Sequence, residues 1–129
     1  MIVDSSAIVA ILRAESEADV FLAAIGDARQ CHMSAATFVE AAIVLTSERG
    51  IYRDDFDELI ADARMVIEPV TEAQAWIARQ AYRDYGKGSG HRAQLNFGDC
   101  FSYALAKDRD EPLLSKGSDF IHTDIRAGG

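Results

Sequence analysis

The sequence has few of the residues that mark linkers, disulfide frameworks or membrane segments. It contains two prolines, nine glycines and two cysteines in 129 residues, and no apolar run approaches the roughly 20 residues of a membrane span. No basic segment leads into a signal-peptide core at the N-terminus. Cys31 and Cys100 lack the paired spacing of a zinc or redox motif, which predicts two buried thiols in a reducing compartment. The composition therefore predicts one globular domain, residues 1–129, in the cytosol without membrane contact.

Positive charge is also scarce. Thirteen lysines and arginines stand against 21 acidic residues, and the formal net charge of −8 argues against nucleic acid as a partner. Residues 79–92 differ, because four basic residues against the single acid Asp84 leave a local charge of +3. These basic residues are Arg79, Arg83, Lys87 and Arg92. Acids clustered around divalent cations elsewhere would offset part of the negative balance, so we expect any bound nucleic acid to follow this stretch.

The chain opens with a short apolar run that ends in an acid. Ile2 and Val3 are β-branched and lie next to the N-terminus, a pattern typical of a buried strand in a parallel sheet. Asp4 then lies at the carboxyl end of that strand, where open α/β sheets bind their ligands. A helical run over residues 7–12 follows, so capping of that helix is an equally good interpretation of Asp4 alone.

A second acid lies inside an apolar helix. Ser34 is a typical N-cap, and we expect the helix to run to about Arg49, with Gly50 just past its end. Glu40 is the only ionisable residue between Ser34 and Glu48. An unpaired buried carboxylate is costly, so a buried Glu40 needs a partner such as a metal ion. The alternative is that Glu40 lies on the exposed face of an amphipathic helix.

Two further acids stand near predicted element ends. Asp99 precedes a helical apolar run over residues 100–106, and the start of a helix favours a carboxylate, so capping is again the alternative. Asp119 follows residues 112–115, a candidate buried strand. The glycine-rich end of the chain, residues 126–129, is expected to be a disordered tail.

The segment before Asp99 contains one helix and one glycine-rich loop. Thr71 is expected to cap the helix. The helix is expected to pack by one face, which leaves Arg79 and Arg83 exposed. We expect Trp76 in the core rather than on a base-stacking surface. Residues 86–91 contain three glycines. Their spacing fits neither a P-loop nor a dinucleotide-binding fingerprint, so an ordinary connection is favoured over a phosphate-binding loop.

Short strands alternate with longer helices throughout, which predicts an α/β fold with a central parallel sheet flanked by helices. Right-handed crossovers bring the strand ends to one edge of that sheet. The four acids would repel one another there unless hard cations were bound, and oxygen ligands select Mg²⁺ or Mn²⁺. Such ions activate water and neutralise charge on a phosphodiester. The pattern therefore indicates a nuclease site.

Four segments, in their order and spacing, resemble the PIN-domain ribonucleases of the VapC type, the toxins of bacterial toxin–antitoxin pairs. They are residues 2–7, 34–40, 96–106 and 112–120, and the resemblance spans nearly the whole chain as a single PIN-like domain. It implies an Mg²⁺-dependent endoribonuclease, with Mn²⁺ as a substitute, acting on structured or messenger RNA. It also implies a homodimer and a VapB-like antitoxin whose C-terminal segment lies in the active-site groove.

The same resemblance implies a role for each acid. The implied catalytic residues are Asp4, Glu40, Asp99 and Asp119. Asp4 and Asp99 would bind the metal ion, and Glu40 would complete or orient its shell. Ser6 matches the hydroxyl residue that follows the first acid in the family. Asp124 is close enough in sequence to share the role of the last acid.

Two other function classes compete with this interpretation. A phosphoacceptor receiver domain also carries acids at strand ends, with a lysine such as Lys116 near the last of them. It needs paired acids after the first strand, whereas Asp4 is followed by serines. A PIN-like module that binds RNA or protein without cleavage would have lost an acid, and none is missing here.

Overall fold

Four short parallel strands form the centre of the computed structural model, which describes residues 1–47 and 52–129. They are β1 (Ile2–Val3), β2 (His32–Ser34), β3 (Val66–Glu68) and β4 (Leu113–Leu114). Their order in the sheet is β3-β2-β1-β4. The chain moves from β1 toward one side and later returns to the other, so the order reverses between β1 and β4. The crevice of such a sheet opens at that reversal, and Asp4 lies there.

The described residues contain six α-helices and one 3₁₀ helix. They are α1 (Ser5–Leu12), α2 (Ala18–Asp27), α3 (Ala35–Thr46), α4 (Arg53–Asp62), α5 (Glu72–Tyr85), α6 (Phe97–Arg109) and the 3₁₀ helix Phe120–His122. None of these helices combines the length and the apolar character needed to cross a membrane. Ser34 and Thr71 cap α3 and α5 as predicted. The predicted helix end at Arg49 and Gly50 lies outside the described residues.

Alternate residues of the strands face two separate layers of helices. Val3 and Leu114 pack in one core with residues of α1, α2, α3 and α4. Ile2 and Leu113 pack in the other core with residues of α5 and α6. This alternation follows from the two-residue period of a strand, and the predicted parallel sheet with flanking helices is confirmed.

Both cysteines are buried, as expected. Cys31 lies in the first core and Cys100 in the second, and both are free thiols. Burial, with a smaller contribution from the nearby Asp99 charge, raises the pKa of Cys100 to about 11. The thiol therefore stays protonated near neutral pH and acts as a small apolar residue.

The prediction that Trp76 belongs to the core is wrong. Helix α5 buries Gln74, Ala78 and Ala81, which lie on one face, and Trp76 projects from the opposite face with 59% of its surface exposed. The small alanines let α5 approach α6 closely. Whether a residue of α5 is buried therefore depends more on its position around the helix than on its size. Arg79 and Arg83 are exposed, as predicted.

The end of the chain also differs from the expected free tail. The N–H of Leu113 donates to the carbonyl of Arg126 at 2.9 Å, and the N–H of Gly128 donates to the carbonyl of Leu113 at 2.8 Å. Ala127 thereby forms a parallel bridge with β4. A Cβ on Gly128 would lie 2.9 Å from the backbone nitrogen of Leu114, so the close approach depends on glycine. Residues 126–128 therefore extend the β4 edge of the sheet.

Candidate active site

Asp4 is both a helix cap and a buried acid at the end of β1. Its Oδ2 accepts hydrogen bonds from the backbone N–H of Ser6 at 3.1 Å and from the Ser6 hydroxyl at 2.7 Å. Its Oδ1 accepts from the hydroxyl of Ser102 at 2.5 Å. Only 3% of the residue is exposed. The capping and site interpretations of Asp4 are therefore compatible, because the bonds that start α1 also hold the carboxylate at the sheet edge.

Asp99 also takes part in a cap. Helix α6 begins at Phe97, and the side chain of Asn96 accepts a hydrogen bond from the N–H of Asp99 at 2.8 Å. The Asp99 carboxylate accepts from the N–H of Asn96 at 3.0 Å, which completes a reciprocal capping box. This bond occupies Oδ2 and leaves the other carboxylate oxygen available to the surroundings.

Electrostatics show which groups surround Asp99. Burial is the largest cause of a pKa raised to about 7, and the hydrogen bond from Asn96 opposes the shift. The charges of Asp4, Asp119 and Glu40 raise the pKa further, in that order. The other three acids that the sequence predicted to converge therefore lie close enough for their charges to act on Asp99.

Glu40 lies against the first turn of α6 because Gly98 has no side chain. The Glu40 Oε1 accepts a hydrogen bond from the Ser5 hydroxyl at 2.7 Å. A Cβ built on Gly98 would lie 1.8 Å from the Glu40 Oε2, far inside any allowed contact. Glu40 is half-buried, which lies between the two sequence alternatives of full burial and full exposure. Gly98 therefore determines how closely Glu40 approaches Asp99.

The two late acids occupy different surroundings. Asp119 is exposed at the start of the 3₁₀ helix, and its charge contributes to the raised pKa of Asp99. Asp124 instead accepts hydrogen bonds from the Tyr103 hydroxyl at 2.7 Å and the Lys107 ammonium at 2.6 Å. Burial raises the pKa of Asp124, but these two hydrogen bonds outweigh it and lower the pKa overall. The structure thus brings Asp119 to the acid cluster and pairs Asp124 with Tyr103 and Lys107.

Comparison with known proteins identifies the family. The model of the PIN domain family matches residues 1–126. The chain belongs to the PIN domain family. It is 56% identical over 127 residues to ribonuclease VapC28 of Mycobacterium tuberculosis, and the match covers 98% of this chain and 96% of that protein. This PIN domain is therefore one of the VapC ribonucleases, and the resemblance seen in the sequence is confirmed.

Two solved structures share the fold of this PIN domain. One is VapC20 of Mycobacterium tuberculosis, described as a toxin that cleaves the sarcin-ricin loop, with a TM-score of 0.74 and 16% identity over 96% of this chain and 95% of that chain. The other belongs to a toxin–antitoxin complex from Klebsiella pneumoniae, with a TM-score of 0.67 and 15% identity over 91% of this chain and 86% of that chain. At such identities the likeness shows the fold alone.

Lys116 does not have the environment that a receiver domain would require. Its ammonium lies 3.0 Å from a Glu15 carboxylate oxygen and 3.4 Å from one of Glu17. Only its backbone N–H reaches the site, where it donates to the Ser6 hydroxyl at 2.9 Å. In the described parts of the chain, Lys107, Arg109, Lys116 and Arg126 all form their ion pairs with acids outside the cluster.

The acid cluster provides ligands of the type that magnesium prefers. All four acids supply oxygen atoms, and Mg²⁺ in proteins is commonly held by one or two carboxylates while it keeps several waters. Within the part of the chain that the structure describes, no three acidic, histidine or cysteine side chains already enclose a common point for an ion. The donor set is therefore of the type that suits such an ion, and Asp4 and Asp99 would hold it.

The residues of the basic stretch lie on the surface, and the groove that contains Arg79 adjoins the one that contains Glu40. Arg79, Arg83, Lys87 and Arg92 are exposed. The Arg79 guanidinium stacks on the Trp76 ring, with 5.3 Å from its carbon to the ring centroid. Arg79 and Phe97 line one surface groove, and Phe97 and Glu40 line the next. Phe97 therefore separates the basic face of α5 from the acid cluster.

Sequence reasoning missed the residues that support the acids. Ser5 and Ser102 hydrogen-bond to acids, Thr37 lies behind Ser102, and Gly98 makes room for Glu40. A signal for two of them exists, because Thr37 is three residues before Glu40 and Ser102 is three residues after the acid of α6. A three-residue spacing places each pair on one helix face.

Proposed function

We propose that this PIN domain is a metal-dependent endoribonuclease, the toxin of a toxin–antitoxin pair, which hydrolyses RNA phosphodiester bonds. The observation that carries the proposal is the raised pKa of Asp99, caused by burial and by the charges of three other acids. Lys107, Arg109, Lys116 and Arg126 form their ion pairs with acids outside the cluster. A divalent cation is the partner that makes this arrangement favourable.

Each acid has a proposed task in this reaction. Asp4 and Asp99 hold Mg²⁺, with Mn²⁺ as a substitute, and Glu40 and Asp119 complete the acidic set and orient water toward the phosphate. The bound ion supplies an activated water and stabilises the charge that develops on the phosphate oxygens. Asp99 must lose its proton before it can bind the ion, so ion binding releases a proton and the affinity rises with pH.

The proposed partners are RNA, an antitoxin and a second copy of the chain. RNA binds along Arg79, Arg83, Lys87 and Arg92. Arg79 supports this path, because it lines the groove next to the one that contains Glu40. A VapB-like antitoxin is supported by the similar fold within the Klebsiella pneumoniae toxin–antitoxin complex. A homodimer is supported by an exposed apolar face that includes Val39, Ile43 and Phe97. The protein would act in the cytosol, where its RNA substrates are.

The test is RNA cleavage by the purified protein with Mg²⁺ and with EDTA. We expect cleavage in Mg²⁺, recovery with Mn²⁺ after EDTA treatment, and loss of cleavage in Asp4→Asn. Asp57→Asn, which removes an exposed acid of α4, serves as the matched control and should cleave normally. Cleavage at an undiminished rate in EDTA would contradict the metal mechanism. RNA binding without cleavage in any metal would instead support a binding module.

A further inference from the structure

A buried hydroxyl pair connects the three elements that carry Asp4, Glu40 and Asp99. The Thr37 and Ser102 hydroxyl oxygens are 3.2 Å apart, and each residue is only 1% exposed. Ser102 also contacts Asp4. Thr37 lies on α3 and Ser102 on α6, so this short chain of polar atoms joins both helices to the end of β1.

The direction of these hydrogen bonds follows from the chemistry of the groups. An ionised carboxylate only accepts, so the single Ser102 hydroxyl proton is donated to the Asp4 Oδ1. Ser102 must then accept from Thr37, which donates its own proton. Ser6 holds the other carboxylate oxygen. Both oxygens of Asp4 are thus oriented, one by Ser6 close by in sequence and one by the hydroxyl pair.

The same pair sets the relative position of two other acids. Thr37 precedes Glu40 by three residues on α3, and Ser102 follows Asp99 by three residues on α6. A three-residue spacing places each hydroxyl and its acid on the same face of their helix. The contact between Thr37 and Ser102 therefore fixes how α3 and α6 pack one turn away from the approach of Glu40 to Gly98.

We infer that Ser102 and Thr37 are positioning residues for the divalent cation: they orient Asp4 and fix the register between Glu40 and Asp99. This inference rests on the proposed function, since it concerns the ligands of the same ion. Groups that hydrogen-bond to metal ligands change metal affinity or activity by about 10- to 100-fold when removed. Ser102 contacts a ligand directly and Thr37 acts through Ser102, so we expect the larger effect for Ser102.

The experiment measures Mn²⁺ affinity of the metal-free protein by calorimetry, together with kcat and KM for RNA cleavage. In Ser102→Ala, Mn²⁺ affinity and kcat should each fall by about 10-fold or more, with KM nearly unchanged. Thr37→Val keeps the shape of threonine and should have a smaller effect, because Ser102 can still donate to Asp4. Thr37→Ser keeps the hydroxyl and should bind Mn²⁺ more tightly than Thr37→Val, close to the wild type. A purely steric role of Thr37 would not explain that result.

Ser34→Ala is the matched control for removal of a buried hydroxyl. Ser34 is 1% exposed and caps α3 through the N–H of Ala36, so this substitution should lower thermal stability without changing Mn²⁺ affinity. If the wild type binds Mn²⁺ and cleaves RNA while Ser102→Ala and Thr37→Val behave like Ser34→Ala, the positioning role is overturned alone. If the wild type neither binds Mn²⁺ nor cleaves RNA, the proposed function and this inference fall together.

Discussion

Replacing Asp99 with asparagine should stabilise the metal-free protein at alkaline pH. The substitution removes a charge that burial and three neighbouring acids disfavour, and asparagine still accepts the capping hydrogen bond from the N–H of Asn96. The folded-state pKa of about 7 is raised above the ordinary value of 3.8 for an aspartate. The stability contributed by protonated Asp99 is therefore complete below about pH 4 and is lost as pH rises through about 7.

The size of the effect follows from the shift. At about 1.4 kcal/mol per pKa unit, a change of roughly three units has an upper limit of about 4 kcal/mol. Asp99 is only partly buried, so solvent screening reduces the expected gain of Asp99→Asn at pH 8 to about 1–2 kcal/mol. For a domain of this size, that gain raises the Tm by about 3–8 °C.

The assay is thermal unfolding in EDTA at several pH values between 4 and 8. The Tm of Asp99→Asn should exceed that of the wild type at pH 8, and the difference should vanish near pH 4. Asp57→Asn makes the same charge change on the exposed face of α4 and should show no comparable trend. A difference between wild type and Asp99→Asn that stays constant over this range would refute the electrostatic reasoning.

Magnesium should reverse the order of stability. An ion at about 100 times its Kd stabilises the wild type by about 2.7 kcal/mol, and Asp99→Asn should forfeit much of this gain along with RNA cleavage. Equal Mg²⁺-induced shifts in both proteins, with cleavage retained, would mean that Asp99 is only a helix cap.

Two further predictions concern surfaces. Charge reversal in Arg79→Glu and Arg83→Glu should weaken RNA binding and flatten its dependence on salt. The slope of log binding constant against log salt concentration should fall by about one for each phosphate that the protein no longer neutralises. An unchanged slope in binding titrations would place the RNA elsewhere. Phe97 is 78% exposed on the apolar face proposed for dimerisation, so Phe97→Ser should shift the protein toward the monomer in analytical ultracentrifugation, and a wild type that sediments as a monomer would contradict the proposed dimer.

The sequence predicts the position of β1 well because this strand has a local signal. Ile2 and Val3 are both apolar, as expected for a strand that is covered on both faces, and the abrupt change to Asp4 marks the strand end. Asp4 and Asp99 remain ambiguous at that level, because the start of a helix and a metal site both favour a carboxylate at the same position. In the structure each of these side chains takes part in a cap and also lies among the other acids, so the two interpretations are compatible.

Features that depend on distant residues have no such local signal. Ser102 and Asp4 are 98 positions apart in sequence, and only the packing of α6 against β1 brings them together. The size of Trp76 suggests burial, whereas the alanines at 78 and 81 mark the packed face of α5. The pairing of Arg126 and Gly128 with Leu113 likewise depends on where β4 lies in the folded sheet.

The double role of the two capping acids shapes how such a toxin can be disarmed. Alanine at position 4 would remove the cap of α1, and alanine at position 99 would remove the reciprocal bond of the α6 capping box, whereas asparagine keeps both hydrogen bonds. An aspartate codon becomes an asparagine codon by one base change. A cell lineage under pressure to escape its own toxin therefore has a one-step route at Asp4 and at Asp99 that ends in a folded protein.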